Sequence, residues 1–163
     1  MLVIFSGLPA TGKTTIAREL AAQVAAVYLR IDSIEQALRD QGIRVEGEGY
    51  RASHAIAEDN LRLGRIVVAD SVNPWPLTRA EWRAVAVRAG VPSIDVEIVC
   101  SDAEMHRQRV EQRVADIPGH LPPSWDDVVR RDYRPWDSDR LQIDTARVPI
   151  AEAVSRIRAT MRV

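Results

Sequence analysis

Residues 7–14 read Gly-Leu-Pro-Ala-Thr-Gly-Lys-Thr and follow directly on the apolar run Leu2-Val3-Ile4-Phe5. This G-x-x-x-x-G-K-[ST] spacing constrains the fold more than any other feature of the chain. An unbroken apolar run of that length, closed by a glycine turn, is the pattern of a strand buried on both faces. The two glycines let the backbone curl so that successive N–H groups converge on one point. The helix that Lys13 opens adds the positive end of its dipole to the same point. A concavity of this kind suits an anion, and its proper setting is a strand–loop–helix unit of an α/β sheet.

Lys13 is the one lysine of the chain: Lys and Arg together number 22, so every other permanent cation is an arginine. A compact ammonium reaches a phosphate as a point charge, where a planar guanidinium presents a fork. The segment Gly7, Leu8, Pro9, Ala10, Thr11, Gly12, Lys13, Thr14 and Thr15 is therefore expected to hold a nucleoside triphosphate. Lys13 would lie on the β and γ phosphates, and the Thr14 hydroxyl on Mg²⁺.

A chain of 163 residues is sized for one domain, taken here as 1–163, and its 46% hydrophobic and 28% charged residues are ordinary for a soluble protein. The net charge of -1 and pI of about 6.3 give no global basic field for long nucleic acid. No apolar run approaches the ~20 residues that span a bilayer. The start reads as a strand rather than a leader. Cys100 is alone and cannot form an internal disulfide, and no Cys/His spacing suggests zinc. A cytoplasmic location is the expectation.

Strand and helix patterns alternate. Strands are expected at 2–6, 27–31, 66–70, 96–100 and 141–143. Helices are expected at 13–25, 33–41, 50–63, from a Thr78 cap to 88, from an Asp102 cap to 114, from a Ser124 cap to 133, and from Pro149 onward. Gly64 and Gly90 close two of them. Residues 115–123 hold Pro118, Gly119, Pro122 and Pro123 and are expected to be irregular. This order predicts an α/β fold of three layers, with a five-stranded parallel sheet covered on both faces.

Other nucleotide-binding classes fail on particular residues. With Lys13 already used, no Asn-Lys-x-Asp guanine-reading segment can exist. A Ser-Gly-Gly signature is absent, and the chain is too short for a second helical domain. Gly7 to Thr15, then Arg30-Ile31-Asp32, then Val68-Ala69-Asp70-Ser71-Val72-Asn73, together resemble the small P-loop kinases. That group includes the polynucleotide 5′-kinase domain, chloramphenicol phosphotransferase and zeta-toxin-like kinases, and many members are labelled adenylylsulfate-kinase-like. The resemblance implies a nucleotide-kinase-like strand order 2-3-1-4-5 with a small helical lid at about 107–135. It implies an ATP- and Mg²⁺-dependent transfer of the γ-phosphate to a hydroxyl of a small molecule or nucleotide. A nucleic-acid 5′ hydroxyl is an alternative acceptor. A nucleotide-binding switch that acts through a protein partner is the rival class. Ala10 stands where many such kinases have glycine, so a left-handed backbone there would be strained.

The same resemblance assigns roles to other positions. Asp32 would align or deprotonate the acceptor hydroxyl, although capping of the next helix suits the same carboxylate. Asp70 would hold Mg²⁺ through water, or else form a turn. Asn73 and Arg79 would line the acceptor pocket, with a turn role open for Asn73. Arg109 and Arg113, four apart on one helix face, would meet charge on the transferred phosphoryl group from the lid. Pairing with Glu104 and Glu111 is the plain alternative. Arg39, Arg44 and Arg51 border the loop where an acceptor would enter, and Arg130, Arg131 and Arg134 flank Tyr133. Trp75, Trp125 and Trp136 fall near the expected crevice, and the loop Asp144-Thr145-Ala146-Arg147 is expected near adenine. His54, His106 and His120 are scattered and expected to be structural or on the surface.

Overall fold

The computed structural model describes residues 1–161; Arg162 and Val163, the last two of the expected domain, lie outside the described residues. Along β1 (Leu2–Ser6) the side chains alternate between two cores, which explains why every position in it is buried. Val3 and Phe5 face a cluster containing Ile16, Leu20, Val154 and Ile157. Leu2 and Ile4 face a second cluster containing Ala57, Leu61, Trp82 and Val85.

The first cluster belongs to α1 (Lys13–Gln23) and α7 (Ile150–Met161), and the second to α3 (Glu48–Arg62) and α4 (Pro76–Ala89). Between these layers lies one parallel sheet. It adds β2 (Val27–Arg30), β3 (Val67–Asp70), β4 (Ser93–Val99) and β5 (Leu141–Asp144) in the order β2-β3-β1-β4-β5. Three layers, five parallel strands and this order are those the sequence pattern and the resemblance predict. The register sets Phe5 beside Asp70 and Arg30 beside Asp70, so the chemistry-bearing ends of β1, β2 and β3 share one edge.

Several boundaries differ from expectation. Helix α2 (Ile31–Asp40) starts at Ile31, so Arg30 is its N-cap residue and Asp32 sits in the first turn without capping it. Thr78 does not cap α4. Pro76 opens that helix, and the Thr78 hydroxyl donates to the Trp75 carbonyl at 3.0 Å. Strand β4 begins at Ser93, because its pairing with β1 runs back from Phe5 and Val96 to Leu2 and Ser93. Helix α5 (Ala103–Glu111) carries the expected Asp102 cap on the Met105 amide at 2.9 Å, but it ends before Val114. Helix α6 (Trp125–Val129) has a Ser124/Asp127 capping box and is shorter than the pattern implied. Between α5 and α6, residues 112–124 are irregular, as four Pro and Gly residues require.

Candidate nucleotide and acceptor site

The loop from Gly7 to Gly12 takes three left-handed backbone positions: Gly7 at φ 141°, Ala10 at φ 62° and Gly12 at φ 96°. Ala10 therefore carries the strain the sequence warned of, on the order of 1 kcal/mol. The curl is held on several sides. The Thr11 hydroxyl donates to the Leu8 carbonyl at 2.9 Å, and the Gly7 amide donates to the Val72 carbonyl at 3.1 Å. Thr145, just past β5, donates its hydroxyl to the Thr11 carbonyl at 2.7 Å. Nε2 of His106, buried on α5, lies 2.8 Å from the Pro9 carbonyl, and its ring meets Trp125 edge-on at 5.3 Å. His106 is thus a loop support that its sequence position did not reveal.

Lys13 is only 7% exposed, and its Nζ lies 3.2 Å from Oδ1 of Asp70, which is itself 2% exposed. Oδ2 of Asp70 accepts from the Tyr28 hydroxyl at 2.7 Å. Burial alone would raise this carboxyl. The Lys13 ammonium, then the Tyr28 and Thr14 hydroxyls, outweigh it and hold Asp70 below the ordinary carboxylate range. Burial and the Asp70 charge push Tyr28 far above its usual value, so it remains a proton donor to Asp70.

A crevice of about 1120 Å³ opens across the carboxyl ends of the strands, lined at its base by Lys13, Thr14 and Thr15. On the β4–β5 side it is lined by Arg109, Arg113, Thr145, Val148 and Ile150. On the β2 side it is lined by Arg18, Arg30, Asp32 and Asp116. Val114, Leu121 and Pro123 of the irregular segment complete the lining. Gly7, Leu8 and Thr11 face a separate cavity of about 270 Å³ behind the loop, bordered by Glu97 and His106.

The structure brings Lys13, Thr14, Asp32, Arg109 and Arg113 to one crevice, with Asp70 bonded to Lys13 at its base. Among the described residues neither the Asp32 carboxylate nor the Arg113 guanidinium has a hydrogen bond or ion pair. Arg109 is anchored, its Nη1 donating to the Thr145 hydroxyl at 2.8 Å and its Nη2 to the Thr145 carbonyl at 3.2 Å. Arg107 instead pairs with Glu111 on the helix surface.

Two expected pocket residues are placed elsewhere. Arg79 is fully buried and donates to four backbone carbonyls: Asn73 at 2.9 Å, Pro74 at 3.2 Å, Arg134 at 2.8 Å and Pro135 at 3.1 Å. Its guanidinium carbon lies 4.2 Å from the Trp136 ring centre. This arginine fastens the 134–136 segment to the start of α4 with four of its five N–H donors. Asn73 is also fully buried, at φ 46°, and its amide donates to the Phe5 carbonyl at 2.9 Å. It locks the β3 turn to β1 rather than meeting an acceptor. Trp75 is half-exposed and donates to Asp132 at 3.1 Å, outside the crevice lining. Arg39, Arg44 and Arg51 are spent on Glu35, Glu46 and Glu48.

An anion nest at a helix N-terminus, this strand order and a crevice across the strand ends define the P-loop kinase fold. Residues 2–122 match the model of the family described as AAA domain (AAA_33), and the chain belongs to that family. No curated protein matches the chain. Among solved structures it is similar to a candidate kinase from Chloroflexus aurantiacus, with TM-score 0.76 and 22% identity over 99% of this chain and 95% of that one. It is similar to the Mycobacterium tuberculosis APS kinase CysC in complex with AMPPNP and APS, with TM-score 0.73 and 17% identity over 99% and 97%. It is also similar to Chaetomium thermophilum Kti12 in complex with ADP-AlF3, with TM-score 0.69 and 21% identity over 98% of each chain. At these identities the likeness is one of fold.

Proposed function

We propose that this protein is an ATP- and Mg²⁺-dependent phosphotransferase that moves the γ-phosphate to a hydroxyl of a small molecule or nucleotide. The observation that carries the reading is the bare Asp32 carboxylate, set in the same crevice as Lys13 and Thr14. A carboxylate at an acceptor hydroxyl needs an open coordination side, and a capping carboxylate would already be spent. The solved relatives named above, bound to AMPPNP with APS or to ADP-AlF3, add weight to a triphosphate in the nest.

The donor set also fits magnesium. Among the described residues no group of three or more His, Cys, Asp or Glu side chains could enclose a metal. Mg²⁺ keeps several waters and takes one or two protein oxygens beside substrate phosphates, which the Thr14 hydroxyl and Asp70 can supply. When bound, the ion would neutralise charge on the β and γ phosphates.

The chain's own residues would then divide the work. Lys13 would shift from Asp70 toward the phosphates, and Asp32 would orient the acceptor hydroxyl and take its proton. Arg113, without an ion-pair partner among the described residues, would meet the charge on the transferred group, while Arg109 would hold the Thr145 loop. Among the described residues no helix is long and apolar enough to cross a membrane.

The test is ATP turnover against nucleosides, nucleotides, sugars, aminoglycosides and oligonucleotide 5′ ends. Stimulation by one acceptor class, lost in Asp32→Asn, is the expected result. Flat basal hydrolysis across the panel would favour a nucleotide-dependent switch instead.

A further inference from the structure

Arg30 ends β2 with its side chain 3% exposed, and Asp116 of the irregular segment reaches back 86 residues to it. The pair is two-pronged: Arg30 Nη1 donates to Oδ2 of Asp116 at 2.7 Å and Nη2 to Oδ1 at 3.0 Å. Arg18 of α1 donates to the same Oδ2 at 2.9 Å. Hydrogen bonds from Arg30 hold the Asp116 carboxyl well below its usual range. All three residues line the crevice.

Their place in the sheet gives this cluster its meaning. The nest follows β1, at the centre of the order β2-β3-β1-β4-β5. Arg109, Thr145 and Ile150 lie toward β4 and β5, whereas Arg18, Arg30 and Asp32 lie toward β2. A triphosphate in the nest therefore leaves the β2 half for the second substrate. Asp32 is two residues from Arg30 and close enough to act on its charge.

We propose that Arg18 and Arg30 form a binding subsite for a phosphomonoester group on the acceptor, and that Asp116 occupies this subsite as an internal stand-in until the acceptor arrives. The proposal rests on the phosphotransfer reading and names its substrate class, a hydroxyl compound that already carries a phosphate. Two guanidiniums face one carboxylate, and Nε of Arg30 is buried with no hydrogen-bond partner among the described residues. A dianion with three terminal oxygens matches the charge of two guanidiniums better than a single carboxylate does. Asp116 itself is 39% exposed on a segment without regular structure, so it can leave without unfolding the core. Arg39, Arg44 and Arg51 pair with glutamates outside the crevice lining, whereas Arg18 and Arg30 share their carboxylate inside it.

The experiment measures inorganic phosphate binding to the full chain after its nest has been saturated with Mg²⁺ and a non-hydrolysable ATP analogue. Saturation is verified first by titrating the analogue, and failure at that step overturns the phosphotransfer reading itself. With the nest filled, Asp116→Asn should tighten phosphate about tenfold by removing the internal competitor. Arg18→Gln, a change at a half-exposed side chain, should weaken it about tenfold through loss of one charge-assisted bond. Arg30→Gln should abolish it, with thermal unfolding as the check on folding. Unchanged or weaker phosphate binding in Asp116→Asn would overturn the subsite while leaving phosphotransfer intact. Acetate binding as tightly as phosphate would overturn the assignment to a dianion.

Discussion

Gly7 lies against the carbonyl oxygen of Ile98: a Cβ on this glycine would stand 2.2 Å from that atom. The neighbour is backbone in the middle of the sheet, so it cannot rotate away. The residue also sits at φ 141°, which an L side chain rarely adopts. Gly7→Ala should therefore cost about 3 kcal/mol or more and displace the loop from its nest geometry. Chemical denaturation and nucleotide titration would check the two effects. A variant of native stability with native ATP affinity would contradict the packing described.

Lys13→Ala should weaken nucleotide binding by roughly 10- to 150-fold, the worth of one charge-assisted contact in a dry site. It also leaves Asp70 buried without its ammonium, so the variant should be less stable than the parent. Asp70→Asn should cut Mg²⁺-dependent affinity more than metal-free affinity. Calorimetry with and without the metal distinguishes these outcomes.

Asp32→Asn should leave ATP affinity within about twofold, because this side chain makes no bond to the nest. Turnover with the best acceptor should fall by about 100-fold or more, the range for loss of a positioned base. Steady-state kinetics together with nucleotide titration would show the split.

Arg79→Ala orphans the carbonyls of Asn73, Arg134 and Pro135, leaves Pro74 with only the Arg134 amide, and bares the Trp136 face, so a loss of more than about 3 kcal/mol is expected. Arg79→Lys should fare little better, since an ammonium cannot reproduce the guanidinium fork. Urea midpoints would check both. A mild effect with selective loss of acceptor binding would return Arg79 to the pocket.

His54 is pushed down to about 4, first by burial and then by the charge of Arg88. Its ring meets Trp82 edge-on at 4.4 Å, and its Nε2 is buried without a partner among the described residues. The folded chain keeps it neutral where the unfolded chain, with the ordinary value of 6.5, takes up a proton. Its contribution to stability is full above pH 6.5 and fades as pH falls toward about 4. His54→Gln should flatten that part of the stability profile, as followed by thermal unfolding in that window.

The features legible in the sequence were those written in short-range patterns. The strand-nest-helix unit, the Asp102 and Ser124 caps and the left-handed strain at Ala10 each need only a few neighbouring residues to specify them. The parallel order followed from the alternation of elements and from the resemblance carried by three segments. Distant pairings were not legible. Arg79 looked like a pocket arginine because nothing local announces that carbonyls of residues 134 and 135 will surround it. Asp116 and Arg30 lie 86 residues apart and meet only because the irregular segment folds back over β2. His106 appears on a helix with no local cue, and its use depends on where Pro9 comes to rest.

The lone ε-amine of this chain, 7% exposed at the floor of the crevice, also makes it a self-reporting chemical probe. A lysine-directed acyl phosphate has one side chain to acylate, and reaching it means entering the nucleotide's seat. The fraction of Lys13 acylated, read from a single peptide by mass spectrometry, would therefore count vacant seats directly, with no purified acceptor and no background from other lysines.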